Sequence, residues 1–175
     1  MCGELARIDP HLGRVHTTYG TPPLWNREPG FATLLYIILE QQVSLASAKA
    51  CFNKLAARVG EVSPINLLNS TDAELKRDGF SRQKTSYARH LAEAILEKHI
   101  DLDGLYKLPD EDVKSELIKL KGVGTWTAEC YLLMVLLRPD IMPRGDIALH
   151  AAYQKLIGLD QRPKSDEFLE IAETW

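Results

Sequence analysis

Residues 117–128 decide the fold, and they read LIKLKGVGTWTA. The pattern predicts a helix, a four-residue turn with two glycines, and a second helix that begins at Thr125 and ends near Leu137. Gly122 and Gly124 permit positive φ angles and let another backbone come close to the turn. The stretch is therefore predicted to be a helical hairpin.

The start of the second helix is suited to a phosphate. Its first N–H groups have no partner within the helix, and the helix dipole favours an anion there. Lys119 and Lys121 place two positive charges beside the turn. The hairpin is thus suited to holding a nucleic-acid backbone without reading its sequence. A tight helix–helix turn that binds nothing explains the same residues equally well.

The rest of the chain predicts further helices and no strand. We expect an all-α bundle of eight to ten helices, in a single domain that spans residues 1–175. The chain stops within an amphipathic pattern at Trp175, so either a C-terminal segment is missing or the last helix frays. The predicted helices are bounded by Asp9-Pro10, Phe31–Gln41, Ser44 to Gly60, Thr71 to Gly79, Ser81 onward, Pro109 to about Leu120, Asp146 to Gly158, and Asp166 onward.

Composition excludes several classes of protein. The 175 residues, 45% of them hydrophobic, are enough to bury a core, and no apolar run is long enough for a transmembrane helix. Cys2, Cys51 and Cys130 lie far apart, which fits reduced thiols in an intracellular compartment. These cysteines offer no ligand set for zinc or for an iron–sulfur cluster.

The net charge of −3 at first argues against a nucleic-acid binder. The charges are unevenly distributed, however. Residues 76–90 hold five basic residues against one acidic, and residues 97–112 hold six acidic against two basic. We therefore expect a basic face that holds a nucleic-acid backbone over a small area, with weaker non-specific binding than a basic protein shows.

Asp146 is the candidate for chemistry, in the sequence PRGDIAL that covers residues 143–149. It stands at the predicted start of a helix, where a cap requires only a short side-chain oxygen. The helix dipole also favours an ionised carboxylate, which is the form that stabilises a cation or activates water. Capping and catalysis are compatible interpretations.

Together these motifs resemble a known family. LKGVGTWTA followed by PRGDIAL is similar to the hairpin and aspartate signature of the helix-hairpin-helix (HhH-GPD) DNA glycosylase superfamily. ILEQQVS at residues 38–44 resembles a segment of its 3-methyladenine DNA glycosylase II (AlkA-like) branch, and DPHL at 9–12 and GFSRQK at 79–84 also fit that branch. The resemblance covers nearly the whole chain and implies a compact all-helical fold without a β domain.

The resemblance implies a monofunctional DNA glycosylase of base excision repair. It would hydrolyse the N-glycosidic bond of flipped-out alkylated purines of the 3-methyladenine and 7-methylguanine type, with Asp146 stabilising the sugar cation or orienting water. Trp126 stands where bifunctional members carry a Schiff-base lysine, so no lyase activity is expected. Its indole would line the base pocket and favour a cationic base.

The resemblance also implies how double-stranded DNA is held. N–H groups near Gly122, Gly124 and Thr125, with Lys121 beside them, would grip a phosphate 3′ of the lesion. No cofactor is expected except a monovalent cation, Na⁺ or K⁺, held by main-chain carbonyls. By position these carbonyls belong to Ile118, Leu120 and Val123.

The turn that ends at Ser44, itself a candidate DNA-binding residue, matches the place where the family inserts a wedge into the gap left by the flipped base. Gln42 is the first candidate for this wedge and Gln41 is the second. A polar helix end beside a Ser44 cap explains these residues without any contact to DNA.

Two positions depart from the branch. Cys130 and Ile147 stand where AlkA-like members often have aromatic residues, so Tyr131 or Trp25 would have to compensate in the pocket. The departures leave open an alternative: a non-catalytic DNA-binding or lesion-sensing module. In either case we expect a monomer without a membrane partner, in the nucleus of a eukaryote or the cytoplasm of a prokaryote.

Overall fold

The computed structural model describes residues 2–175 and is helical throughout, with no strand over that range. It has eleven α-helices among the described residues and one short 3₁₀ turn at Leu105–Lys107. The helices are α1 (Cys2–Ile8), α2 (Pro10–Tyr19), α3 (Phe31–Glu40), α4 (Leu45–Val59), α5 (Pro64–Leu68), α6 (Asp72–Asp78), α7 (Arg82–Leu96), α8 (Asp110–Ile118), α9 (Thr125–Met134), α10 (Ile147–Ile157) and α11 (Ser165–Ala172).

The prediction of eight to ten helices is therefore slightly too low. The sequence signals do not predict α1 and α5. No capping residue type precedes Cys2 in the sequence, and α5 has only five residues, too few for an apolar repeat to be recognised.

Side-chain caps begin six of the eleven described α-helices, and the sequence predicts five of these six. The Asp9 carboxylate accepts hydrogen bonds from the N–H groups of His11 and Leu12 at 2.7 and 3.1 Å. Thr71 and Glu74 form the predicted capping box at the start of α6. A cap of this kind typically contributes about 1 kcal/mol to stability.

The helices form two compact units, and the larger unit is Asn26–Ile141. Its centre is α3, which packs against α4, α7 and α9. Helix α3 has six buried residues, and the side chains of Leu34, Ile37 and Ile38 have no exposed surface. Burial of each such side chain contributes roughly 1.5–3 kcal/mol. The apolar run 31–40 thus supplies the core of this unit, as predicted.

The smaller unit joins the described residues up to Trp25 to residues Met142–Trp175. It contains the packed pair α1 and α2 together with α10 and α11. Phe168 is its buried apolar centre, in contact with the rings of His150, Tyr153 and Trp175. The prediction of a single domain over the whole chain stays a prediction.

Two leucines at helix ends are largely exposed. Leu45 is 69% exposed and Leu96 is 47% exposed. Both lie at the end of a helix, Leu45 as the first residue of α4 and Leu96 as the last residue of α7. Apolar spacing along a helix predicts which face is buried, but it does not predict how far the neighbouring helices extend.

Two further observations concern membrane-spanning helices and the cysteines. Over residues 2–175 no helix is both long and apolar enough to cross a bilayer. Among the described residues none of the three cysteines forms a disulfide, and Cys51 and Cys130 are buried.

Candidate functional site

The hairpin is formed by α8 and α9 and the turn between them. Gly122 has a φ angle of +85°, and a Cβ atom at this position would lie 2.2 Å from the ring of Tyr87. Gly124 has a φ angle of −100°, which any residue can adopt, and a Cβ atom there would have no neighbour within 4 Å. Only the first glycine is therefore required by the fold, whereas the second leaves the surface of the turn open.

Helix α9 begins at this open surface. Its N-cap residue is Gly124, which has no side chain to accept a hydrogen bond from the first turn. Thr125, the first residue of the helix, is exposed. The helix end combines a positive dipole with an unobstructed approach, which are the two properties that an anion such as a phosphate requires.

The two lysines near the turn have partners on α7 and α8. The Lys121 ammonium donates a hydrogen bond to the Ser86 hydroxyl at 2.9 Å, and the Lys121 backbone N–H donates to His90 Nδ1 at 3.3 Å. Lys119 forms an ion pair with Glu116 at 2.6 Å. The charge beside the turn is thus oriented by these contacts.

The turn between α3 and α4 lies against the hairpin through Gln41. The Gln41 side-chain nitrogen donates to the Gly122 carbonyl at 2.8 Å and to the Thr127 hydroxyl at 2.9 Å. The next residue, Gln42, is exposed and has a φ angle of +56°, in the left-handed region. The two candidate wedge residues therefore have different roles: Gln41 is held by the hairpin and Gln42 is turned to the surface.

Two apolar side chains beside Gln42 also face the surface, and the sequence reasoning missed them. Val43 is 44% exposed and Leu45 is 69% exposed. The available signal was the break in the helical pattern at the turn, where an apolar residue has no core face to occupy. These side chains widen the exposed tip of the α3–α4 turn.

The three carbonyls expected to hold a cation belong to the end of α8 and to the turn. The Leu120 carbonyl accepts the Val123 N–H at 3.0 Å, which closes a tight turn around Lys121 and Gly122. A carbonyl oxygen has two lone pairs, so this bond leaves Leu120 able to act as a ligand. The cation at Ile118, Leu120 and Val123 stays a prediction. Among residues 2–175 no group of three or more His, Cys, Asp or Glu side chains could hold a metal ion.

Trp126 is the second residue of α9 and is partly buried against the core of the larger unit. Tyr131 lies on the same helix but has no exposed surface. The suggestion that Tyr131 compensates in the pocket is therefore wrong, because its ring is enclosed by the core. Trp25, the other suggested residue, belongs to the smaller unit and is 68% exposed.

Asp146 caps α10 in the smaller unit. Its Oδ1 atom accepts hydrogen bonds from the N–H groups of Ala148 and Leu149 at 2.9 and 3.0 Å. Asp146 is partly buried. The residue before it, Gly145, has a φ angle of +75°. The two hydrogen bonds hold the carboxylate in one orientation, which serves a cap and would equally serve a catalytic group.

The residues on either side of Asp146 line an open cleft of about 380 Å³. Ile147, at the position where an aromatic residue was expected, is 65% exposed. His150, one helical turn further on, is buried and packs against Phe168 with tilted rings whose centres are 4.6 Å apart. Asp146 thus stands beside a surface that is accessible to a ligand.

Comparison with known protein families identifies the family of this chain. A family model described as HhH-GPD superfamily base excision DNA repair protein matches residues 35–175. The chain belongs to the HhH-GPD superfamily. Another member, the alkylbase DNA glycosidase-like protein mag2 of Schizosaccharomyces pombe, is 30% identical over 145 residues, which cover 80% of this chain and 68% of mag2. The HhH-GPD match includes the α3–α4 turn, the hairpin and Asp146.

The structure has the HhH-GPD fold. The solved complex of Schizosaccharomyces pombe 3-methyladenine DNA glycosylase (Mag1) with abasic DNA matches with a TM-score of 0.91 and 25% identity, covering 97% of this chain and 86% of Mag1. Bacillus subtilis YfjP is 28% identical over 150 residues. This HhH-GPD chain covers 81% of its own length in that match but spans only about half, 52%, of YfjP.

Proposed function

We propose that this HhH-GPD protein is a monofunctional DNA glycosylase that removes alkylated purines from double-stranded DNA in base excision repair. The observation that carries the proposal is Asp146, which resembles the family's aspartate by its sequence motif and has its carboxylate held by two helix N–H groups. The relatives mag2 and Mag1 are named for alkylated bases and for 3-methyladenine, which supports this substrate class.

The chemistry requires little from the protein beyond a well-placed carboxylate. A purine alkylated at N3 or N7 is already cationic, so it takes the electron pair of the N-glycosidic bond and leaves as a neutral base. The positive charge then develops on the sugar, where the Asp146 carboxylate would stabilise it. Water adds to C1′ and loses a proton, and an abasic site remains in the strand.

Trp126 supports hydrolysis without strand cleavage. A lyase needs an amine that forms a Schiff base with the sugar, and an indole cannot supply one. The nearby amines of Lys119 and Lys121 precede the glycine turn and are bonded to Glu116 and Ser86. The Trp126 ring would instead offer its face to a cationic base, an attraction of roughly 0.5–2 kcal/mol.

The α3–α4 turn and the hairpin would both contact the damaged duplex. Gln42 is favoured as the wedge because it is exposed on a tight turn, whereas the carboxamide of Gln41 is already bonded. The start of α9 would bind a phosphate, and a monovalent cation at the carbonyls of the turn would add charge. We expect the enzyme to act as a monomer in the compartment that holds the DNA.

Substitution of Asp146 by asparagine tests the catalytic role apart from the capping role. Asparagine caps a helix as well as aspartate does, so Asp146→Asn should retain its melting temperature. Its neutral side chain cannot stabilise a sugar cation, so release of 3-methyladenine or 7-methylguanine from duplex DNA should fall by about 100-fold or more. Equal release by Asp146→Asn and the wild type would exclude Asp146 as the catalytic group.

A lesion-sensing module is the second candidate function, because Ile147 and the buried Cys130 occupy positions where aromatic residues were expected. Single-turnover conditions separate the two functions. Tight binding to alkylated duplex without base release would support the sensor, and base release would exclude it. Borohydride trapping of a covalent protein–DNA adduct would contradict the monofunctional assignment.

A further inference from the structure

Gln41 connects the two segments that are proposed to hold the damaged duplex. We propose that Gln41 is a positioning residue that couples the wedge turn to the hairpin, so that Gln42 inserts and the phosphate binds in one fixed geometry. This inference rests on the proposed function, because it assumes that the α3–α4 turn and the hairpin contact the same DNA.

The chemistry of the partners fixes the orientation of the Gln41 carboxamide. The Gly122 carbonyl can only accept a hydrogen bond, so the amide nitrogen of Gln41 must face it. That nitrogen donates to Gly122 at 2.8 Å and to the Thr127 hydroxyl at 2.9 Å, so both of its hydrogens are used. Gln41 therefore binds the turn of the hairpin and the first turn of α9 at the same time.

These bonds immobilise the peptide unit at the centre of the hairpin. The carbonyl of Gly122 and the N–H of Val123 belong to one planar peptide and point in opposite directions. The carbonyl accepts from Gln41, and the N–H donates to the Leu120 carbonyl at 3.0 Å. Tyr87 also packs against the Cα of Gly122. These contacts fix the backbone conformation that leads into α9 and its phosphate-facing end.

The other end of the link is equally well anchored. The Gln41 backbone N–H donates to the Ile38 carbonyl, which keeps the residue at the end of the buried helix α3. The Lys84 ammonium donates to the Leu39 carbonyl on the same final turn of α3. The exposed Gln42 follows directly at a φ angle of +56°. It therefore projects from a residue, Gln41, that is held both by α3 and by the hairpin.

The coupling is first tested on the protein without DNA. Gln41→Met keeps the side-chain length and removes both donors, and Thr127→Val removes one acceptor at nearly constant shape. Hydrogen–deuterium exchange in residues 119–127 should rise about tenfold in Gln41→Met and by less in Thr127→Val. The control Gln161→Met, at an exposed position outside both segments, should leave this exchange unchanged. Unchanged exchange in Gln41→Met would overturn the coupling.

A double-mutant cycle then tests the coupling on DNA. The probe is a duplex with a tetrahydrofuran abasic analogue, and the measured quantity is its dissociation constant relative to intact duplex. Gln42→Ala should reduce this selectivity about tenfold in the wild type but by no more than about twofold in the Gln41→Met background. A merely structural role for Gln41 predicts equal factors in both backgrounds, and that result would overturn the proposal.

The outcomes are distinguishable from a failure of the proposed function. Release of an alkylated base by the wild type reports the function, while hydrogen exchange without DNA reports the link between the two segments. A protein that releases no base and still shows the exchange effect would retain the coupling and lose the function. A protein that releases base with independent effects of Gln41 and Gln42 would retain the function and lose the coupling.

Discussion

At the scale of single residues, the conformation of the hairpin turn requires glycine at position 122. Gly122 combines a positive φ angle with direct contact between its Cα and the ring of Tyr87. Gly124, two residues later, has an ordinary backbone conformation and open space in front of it. The same residue type thus serves the fold at one position and access to the surface at the other.

Alanine at each glycine should separate these two roles. Gly122→Ala should lose about 2–4 kcal/mol of unfolding free energy, since a Cβ is strained at this φ angle and overlaps the Tyr87 ring. Gly124→Ala should change stability by less than about 0.5 kcal/mol. It should still weaken DNA binding, because its methyl group covers the start of α9. Urea denaturation and binding to abasic-analogue duplex measure the two effects. Equal stabilities of the two variants would contradict this account.

At the scale of elements, helices α3, α4 and α7 enclose polar groups that depend on pH. Cys51 of α4 is buried, and burial raises the pKa of its thiol to about 11, although the nearby charge of Lys84 on α7 opposes the shift. Burial in turn lowers the pKa of the Lys84 ammonium, which Cys51 partly opposes. The packing of these helices therefore favours the neutral thiol.

Stability should fall at alkaline pH because of Cys51. In the unfolded chain the thiol ionises from about pH 8.5–9, whereas in the folded protein it ionises only near pH 11. The stabilisation is complete below about pH 9 and is lost as the pH rises toward 11. Solvent screening reduces the effect of the shift, so about 1–2 kcal/mol would be lost over this window.

Unfolding free energies of the wild type and Cys51→Ala between pH 8 and 11 measure this effect. The difference between the two proteins removes the titration of lysines that do not interact with Cys51, and it reports the thiol together with its coupling to Lys84. Parallel pH profiles would show that the thiol of Cys51 does not contribute.

At the scale of the whole molecule, the net charge limits how strongly the proposed enzyme should hold DNA. The net charge is −3, and the basic residues near the hairpin are engaged with Ser86 and Glu116. The smaller unit is built from both ends of the chain, where the Trp175 indole donates to Asp9 Oδ2 at 2.9 Å. Main-chain groups at the start of α9, rather than a dense basic surface, are the main feature available to a phosphate.

Binding of duplex DNA should therefore depend only moderately on salt. A footprint of about three phosphates gives a slope of roughly −2 to −4 for log K against log salt concentration. Titrations of abasic-analogue and intact duplex between 50 and 200 mM salt would measure it. Lys121→Met should reduce the slope by at most about one unit, and Lys155→Met on the smaller unit serves as the control. A slope near −8 would indicate a much larger charged interface.

The sequence by itself determined the features that act within a few residues of one another. Helix starts at Asp9, Ser44, Ser81 and Asp146 could be predicted, because a cap joins a side chain to N–H groups two or three residues away. The glycine turn and the capping aspartate could also be predicted from the sequence, because the local conformation at these positions depends on residue type. These signals were enough to predict an all-helical fold and the family.

Only the tertiary structure decided which side chains meet. The partner of Gln41 lies 81 residues away in the chain, so no local pattern could distinguish this link from the exposed Gln42 beside it. The enclosure of Tyr131 and the exposure of Leu45 likewise depend on which helices pack against their own. Packing brings distant residues within hydrogen-bond distance, and that step converts a recognisable hairpin into one held against a second segment of the chain.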